Sequence, residues 1–268
     1  MMRAPAVADR FYPGNPEQLQ AALDVLVPVV AEQEKKKAFA AIMPHAGYVY
    51  SGATAGLTIS RVQVPETVLI IGPNHHGRGP ALALSCEDWR MPMGAAPIDR
   101  ALATSILQHS SVFVEDQEAH LFEHSIEVQI PFLQQVQKQL RIVPVVAAHL
   151  SFDLCRLAGH ELAVAIDKHP QPVLMVASSD MSHYESRQRA SKKDSMAIER
   201  ILAMDPQGLY DTVHGKRISM CGVVPAVVVL LAALELGATH AELAHYTDSG
   251  EASGDTSQVV GYAGLIIS

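Results

Sequence analysis

Short apolar runs alternate along the chain with longer segments in which apolar residues recur every three or four positions. Continuous apolar runs bounded by Pro, Gly or Asp are typical of strands covered by helices on both faces. The pattern predicts strands at 38–44, 67–72, 81–85, 140–150, 172–179 and 259–267.

The longer segments carry helix start signals. Asn15, Pro16 and Glu17 provide a cap, a proline at the first helical position and an early acid, which predicts a helix through residue 30. Ser151 caps a second predicted helix at 151–169. Further helices are predicted at 96–110, at 223–234 and at 123–140, where Pro131 should bend the chain or start the main segment.

This alternation predicts an α/β three-layer sandwich, in which a mixed, largely parallel central sheet lies between helices. No composition shift, linker or repeat divides the sequence, so we expect one domain over 1–268. The most apolar stretch, 223–234, is too short to span a bilayer and should be a buried helix.

Composition narrows the function classes. Apolar residues make up 49% and charged residues 18%, which is typical of a chain with a large core. The net charge of -8 argues against a general nucleic-acid binder, and the basic stretches 34–37 and 187–193 are predicted to be solvated helix faces. The three cysteines form no CxxC pair or disulfide framework, and no signal peptide precedes them. We therefore expect a cytoplasmic protein without membrane association.

The chain has 13 histidines, and several follow predicted strands. Sites in open α/β sheets form at the carboxyl ends of strands, where His45, His75 and His183 each lie in a turn. A turn has no structural need for imidazoles, so three at equivalent positions predict a shared site. Imidazoles from separate strands most simply make a metal site.

A cysteine is the first candidate to complete this site. Cys221 opens the predicted buried helix, and a helix N-terminus lowers the pKa of a thiol, which favours a thiolate ligand or nucleophile. The alternative is that Cys221 is a small core residue. Cys155, on an amphipathic helix, is predicted to be core.

Two acid–histidine groups extend the candidate site. On a helix, His124 would share a face with Glu127, so the imidazole could face the cleft while Glu127 or Glu123 orients it. The alternative is a surface helix with mixed polar residues. Asp180 and His183 would share one helical turn, where the carboxylate can fix the imidazole tautomer.

Six ordered motifs span almost the whole chain: PHAGYVYSG (44–52), IGPNHHG (71–77), EHSIEVQIPFL (123–133), SSDMSHY (178–184), CG (221–222) and SGDTSQVVGYAG (253–264). Together they resemble the Memo family, whose members also occur as component B of the AmmeMemoRadiSam group of bacteria and archaea. That family is similar to the class III extradiol ring-cleavage dioxygenases, which are α/β sandwiches built around non-haem Fe(II).

The resemblance implies a set of metal ligands and a set of neighbouring catalytic groups. The implied ligands are His45, His75 and Cys221, and the implied catalytic groups are His183, Asp180 and His124. His76 would be a cleft residue rather than a ligand. Fe(II) is the first choice of metal, with Cu or Zn as alternatives because a thiolate is a softer ligand than a carboxylate. The resemblance also implies association with AMMECR-type and radical SAM proteins.

Three functions fit these residues. The first is a dioxygenase-like, iron-dependent oxidoreductase acting on a small organic substrate, in which His183 serves as acid or base and His124 binds substrate or oxygen. The second is a non-catalytic protein that binds copper or iron. The third is a hydrolase that uses zinc or Cys221 as nucleophile. A Ser-His-Asp triad is not expected, because Ser179, Asp180 and His183 fall within five residues and no G-x-S-x-G elbow is present.

Other segments have simpler interpretations. The stretch 247–257 is rich in Ser, Asp and Gly and is predicted to be a flexible loop that covers the cleft. Tyr48, Tyr50 and Tyr184 are candidates for an aromatic wall or for packing residues. Trp89 is expected to be structural or part of an interface.

Overall fold

The fold is described from a computed structural model, which covers residues 2–268. The strands within this range are β1 Met2–Arg3, β2 Ala40–Met43, β3 Thr67–Pro73, β4 Leu82–Leu84, β5 Asp88–Met91, β6 Gly94–Ala96, β7 Val114–Glu115, β8 Arg141–Ala147, β9 Val173–Ser178, β10 His183–Glu185, β11 Ala241–Asp248 and β12 Val259–Ile267.

The α-helices in the same range are α1 Pro16–Leu26, α2 Tyr48–Ser60, α3 Arg100–His109, α4 Ile130–Val136, α5 Phe152–Asp167, α6 Arg187–Leu202, α7 Pro206–Gly215, α8 Val223–Glu235 and α9 Gly250–Ser253. Short 3₁₀ helices lie at Glu32–Glu34, Glu118–His120 and Glu127–Gln129. Each of the six predicted strands and each of the five predicted helices has a counterpart among these elements.

The central sheet is mixed, with a parallel middle. Its strand order is β10-β12-β2-β9-β3-β8-β4-β7, and β11 pairs with β12 off this path. The four strands β2, β9, β3 and β8 are mutually parallel, while β12 and β4 run antiparallel to their neighbours in this group. A separate small sheet joins β1, β5 and β6. The predicted mixed, largely parallel sheet is confirmed.

Helices cover both faces of this sheet, which confirms the three-layer sandwich. Helices α1, α2 and α4 pack together on one side, with α2 against β2, β11 and β12. On the other side α8 lies against β2, β3 and β9, and α5 and α7 pack over α8. Because α8 has neighbours on both sides, it is apolar around its whole circumference.

Three predicted helices are shorter than expected. Helix α1 ends at Leu26, two residues before Pro28. Helix α3 begins only at Arg100, where the Asp99 carboxylate caps the Leu102 N–H. Within 123–140, helical structure is confined to the 3₁₀ turn and α4, because the Glu123 carboxylate accepts the N–H groups of the next two residues and holds them in a turn.

Helix α2 and strand β11 are two of the elements that the hydrophobic pattern did not predict. Helix α2 buries polar and small residues, including Ser51, Thr54 and Gly56. A Cβ at Gly56 would lie 2.1 Å from the Leu26 carbonyl oxygen, so glycine permits the close approach of α1. Strand β11 has mostly half-buried side chains and replaces part of the loop expected at 247–257. The loop prediction is wrong for Thr247 and Asp248, which lie in β11, and for Gly250–Ser253, which form α9.

Trp89 is fully buried, which confirms its structural role. Tyr48 is also buried and donates a hydrogen bond to the Val128 carbonyl. Among residues 2–268, no helix combines the length and the apolarity that crossing a bilayer requires.

Candidate metal centre

The predicted strand-end residues meet at one edge of the central sheet. His45 follows β2, His75 follows β3, and Asp180 follows β9, the strand between them. Cys221 approaches the same edge from the turn before α8. The side chains of His45, His75 and Cys221 place one ligand atom each within 4.8 Å of one another. The structure thus brings together the three residues predicted as metal ligands.

The spacing of these donor atoms suits a transition-metal ion. His45 Nε2 lies 3.4 Å from Cys221 Sγ, and the rings of His45 and His75 are 5.3 Å apart. Metal–sulfur and metal–nitrogen bonds of about 2.3 and 2.1 Å at a tetrahedral angle separate nitrogen and sulfur by about 3.6 Å. His45 is buried, whereas the His75 side chain is 30% exposed, so the cluster opens to solvent on the His75 side.

The hydrogen bonds of His45 fix its tautomer. Ser178 Oγ donates its only proton to the Ser125 carbonyl and accepts a hydrogen bond from the Gln129 amide. His45 Nδ1, 2.9 Å from the same Oγ, must therefore be the donor of that contact. The lone pair of neutral His45 is then on Nε2, the atom that faces Cys221. Burial lowers the pKa of His45, which keeps the imidazole neutral and able to bind a metal.

Glu123 fixes the tautomer of His75 in the same way. Its Oε1 accepts a hydrogen bond from His75 Nδ1 at 2.9 Å, and its Oε2 accepts one from the His75 backbone N–H at 2.7 Å. Although burial opposes ionisation, hydrogen bonds from His75 and Ser125 hold the pKa of Glu123 well below its usual range. Because Nδ1 donates to this acid, Nε2 is the ring nitrogen of His75 that is left to bind a metal.

A second group of donor atoms, from His75, Glu123 and His124, is also compact enough for a metal. Here, however, Glu123 Oε1 already accepts hydrogen bonds from His75 Nδ1 and from two backbone N–H groups, those of His124 and Ser125. This carboxylate therefore acts as a hydrogen-bond acceptor that organises the loop. Sequence reasoning did not separate Glu123 from Glu127, and Glu127 lies elsewhere, paired with Arg3.

His124 lies in the cleft, as predicted, but in a turn rather than on a helix. Its ring stacks on His75 at 4.6 Å and lies 4.7 Å from the ring of Phe11. Burial lowers the pKa of His124 to about 4, so its imidazole is neutral at pH 7.

Asp180 is buried beside the ligands, but it does not orient His183. Its Oδ1 accepts a hydrogen bond from the His45 backbone N–H at 2.8 Å, and burial raises its pKa to about 6. His183 lies on strand β10, and its Nδ1 and backbone N–H contact the carbonyl and hydroxyl of Ser219 at 2.9 and 2.8 Å. The predicted helical turn that joins Asp180 to His183 is therefore wrong.

The predicted lowering of the Cys221 thiol pKa is also wrong when only the groups of the protein are considered. Burial and the nearby Asp180 raise the pKa of this thiol. Cys221 precedes the helix cap Gly222, whose N–H donates to Ser179 Oγ rather than to the sulfur. The Asp180 N–H lies 3.2 Å from the sulfur, and a bound cation would supply the charge that stabilises a thiolate.

Several residues of the centre were not found from the sequence. Ser178 and Gln129 lie within quoted motifs, yet only the fold shows that they hold His45. Phe11 precedes every predicted strand and was not predicted to be a site residue. Conversely, His149 follows β8 at the same sheet edge but is exposed and packs against His214, 5.6 Å away between ring centroids, outside the cluster.

Together, the three-layer α/β fold and the donor set define a protein with a candidate His/His/Cys metal centre. A family model described as "Memo-like protein" matches residues 3–266. A MEMO1 family protein of Aquifex aeolicus is 40% identical over 99% of this chain and 98% of its own length. Another, of Methanopyrus kandleri, is 39% identical over 99% of each chain. The chain belongs to the Memo family.

A solved structure supports the fold alone. The crystal structure of an uncharacterized protein from Escherichia coli K12 matches with a TM-score of 0.57, covering 84% of this chain and 98% of that one. The two sequences are 15% identical, so the likeness extends to the arrangement of strands and helices and carries no statement about activity.

Proposed function

We propose that the protein binds a transition-metal ion, Fe(II) before Cu or Zn, through His45, His75 and Cys221, and uses it for dioxygenase-like oxidation of a small organic molecule. The observation that carries the proposal is the convergence of two imidazole nitrogens and one sulfur within 4.8 Å. Both imidazoles have Nδ1 bound elsewhere, so both offer Nε2 to the same point. A bound Fe(II) ion would supply redox chemistry and open coordination positions.

The surrounding side chains suit proton transfer and substrate positioning. Because His183 Nδ1 donates to the Ser219 carbonyl, its Nε2 is left to accept a proton. Asp180, with a pKa raised by burial to about 6, can exchange a proton close to neutral pH. Neutral His124, stacked on His75, would contact the substrate as a hydrogen-bonding group.

A non-catalytic metal-binding protein is the second candidate, and the sulfur ligand favours it. A thiolate also suits Cu(I) and Zn(II), so the same cluster could hold metal without turnover. Oxygen consumption by the iron-loaded protein with a panel of phenolic substrates separates the two functions. The hydrolase with Cys221 as nucleophile has less support, because the sulfur contacts His45 rather than the proposed base His183.

The metal site is tested by elemental analysis of protein purified without oxygen and loaded with Fe(II). The variants are His45→Ala, His75→Ala and Cys221→Ser. His76→Ala is the matched control, since this neighbouring imidazole is exposed and contacts the Phe122 carbonyl instead. We expect about one ion per chain in the wild type and the control, and loss of bound metal in the three variants. Full retention of metal by any of the three would refute the ligand set.

A further inference from the structure

An apolar groove lies beside the metal centre. It has a volume of about 650 Å³ and is formed by the segment 9–13, by α1 and by the first turn of α2. Most of its lining is hydrocarbon or aromatic, from Phe11, Tyr12, Val25, Leu26, Val49 and Tyr50. The two charged residues in the lining, Asp9 and Arg10, have opposite signs, so the groove has no net charge.

Several of these apolar side chains are unusually open to solvent. Val25 is 83% exposed, Val49 is 75% exposed and Tyr50 is 44% exposed. Single exposed apolar residues are ordinary on protein surfaces, but a contiguous set around a concave site marks a binding surface. Its volume falls within the range of small-molecule pockets.

The groove and the metal centre share a wall. Phe11 lines the groove, and its ring lies 4.7 Å from the ring of His124, which is itself 5.5 Å from the ring of His45. At the end of β2, Gly47 and Tyr48, which also line the groove, follow His45 by two and three residues. The groove and the ligand cluster are therefore neighbours, with Phe11 and His124 between them, and a molecule that contacts both would lie along the Phe11 side chain.

Resting on the proposed function, we infer that the substrate is amphiphilic. A polar, metal-binding group occupies the His45, His75 and Cys221 cluster, and an uncharged aliphatic or aromatic group lies in the groove past Phe11. Burial of the apolar part displaces water from the exposed valines and contributes affinity in proportion to its area. The lack of net charge in the groove disfavours substrates with an ionic tail.

The test uses a series of linear alkyl hydroxamates, from acetohydroxamate to octanohydroxamate, titrated calorimetrically into metal-loaded protein. The hydroxamate binds the metal, and only the tail varies. We expect affinity to rise by up to about fourfold for each added methylene until the groove is filled. Acetohydroxamate, which has almost no tail, sets the baseline for the head group.

Val49→Asp places a charge in the groove. Position 49 is exposed and in the first turn of α2, where an acid is compatible with the helix dipole, so the fold should be unaffected. Val29→Asp is the matched control, since Val29 is 103% exposed and does not line the groove. We expect Val49→Asp to remove the dependence on chain length while acetohydroxamate binding stays the same, and the control to behave as wild type.

Measured metal content separates the possible failures. A protein that binds no metal overturns both the proposed function and this inference. A metal-loaded protein whose affinity for hydroxamates does not depend on chain length overturns the inference alone. Light scattering completes the test: a wild-type dimer that Val49→Asp dissociates, and Val29→Asp does not, would identify the groove as a contact between two copies and would also overturn the inference.

Discussion

Glu123 holds His75 at two points, through its side chain and its backbone. The two carboxylate oxygens accept hydrogen bonds from Nδ1 and from the backbone N–H of this one residue, at 2.9 and 2.7 Å. The imidazole is therefore fixed relative to its own main chain, although it lies in an exposed turn. Glu123 is a positioning residue for the candidate metal ligand.

The first prediction concerns this carboxylate. Glu123→Gln removes the negative charge and converts one acceptor into a donor, so it should weaken metal affinity by about 10- to 100-fold. Competition with a chelator of known affinity measures the change. Glu118→Gln, in the same region but exposed, should leave affinity unchanged. Equal affinities in wild type and Glu123→Gln would contradict the positioning role.

The second prediction concerns the backbone beside Cys221. A Cβ added at Gly222 would lie 2.4 Å from both the Ser178 carbonyl oxygen and Ser179 Cβ. Gly222 has a φ of -97°, which any residue adopts, so Gly222→Ala isolates the steric effect. We expect a loss of about 1–3 kcal/mol in unfolding free energy and weaker metal binding. Gly215→Ala, where no atom lies within 4 Å, should not destabilise the protein in the same urea titration.

The third prediction concerns the ion pair that anchors the N-terminal segment. Glu127 and Arg3 are 2.7 Å apart with side chains 0% and 3% exposed, and Glu127 also accepts hydrogen bonds from Tyr12 and from two backbone N–H groups. Glu127→Gln leaves the Arg3 charge buried without its partner and should cost about 3–5 kcal/mol of unfolding free energy.

An exposed pair provides the comparison for that measurement. Glu32 is 72% exposed and lies 2.9 Å from Lys35, so Glu32→Gln should change stability by at most about 0.5 kcal/mol. Similar effects at positions 127 and 32 would show that the buried pair contributes little.

The fourth prediction concerns pH. Burial lowers the pKa of His120 to about 4, while an unfolded chain protonates this histidine near the ordinary histidine pKa of 6.5. The unfolded state therefore binds the proton first, and the stability that the neutral ring provides above pH 6.5 is lost as pH falls towards 4. The loss is on the order of 3 kcal/mol.

His120→Gln tests that assignment, because glutamine does not titrate and can still donate to the Ala83 carbonyl, as His120 Nε2 does. Urea unfolding at several pH values between 7 and 4 measures the slope. We expect a flatter dependence in the variant. Parallel curves for the two proteins would mean that other groups determine the acid sensitivity.

The sequence predicted the parallel core and the strand-end histidines because both depend on local patterns. Continuous apolar runs identify buried strands, and a histidine directly after a run is carried to the carboxyl edge wherever the strand pairs. Helix α2 was missed because its buried face consists of residues such as Ser51 and Thr54, which carry no hydrophobic period.

The details of the site depend on contacts between distant segments, and sequence reasoning had no access to these. Glu123 and Glu127 are four residues apart, yet one serves His75 and the other pairs with Arg3, 124 positions away. A helical period would have placed both acids on one face, but the turn at 123–126 sends them in different directions. Likewise, Ser219 rather than Asp180 contacts the His183 ring, because strand β10 begins at His183.

The position of β9 between the two histidine-bearing strands has a mechanical consequence. Neighbouring strands lie about 4.8 Å apart, so the chains leading to His45 and His75 are separated by the full width of one strand. An ion bound by both imidazoles would connect the ends of β2 and β3 across the intervening strand β9. Its removal should speed amide hydrogen exchange in β2, β9 and β3 together, while the distant edge strand β7 keeps its rate.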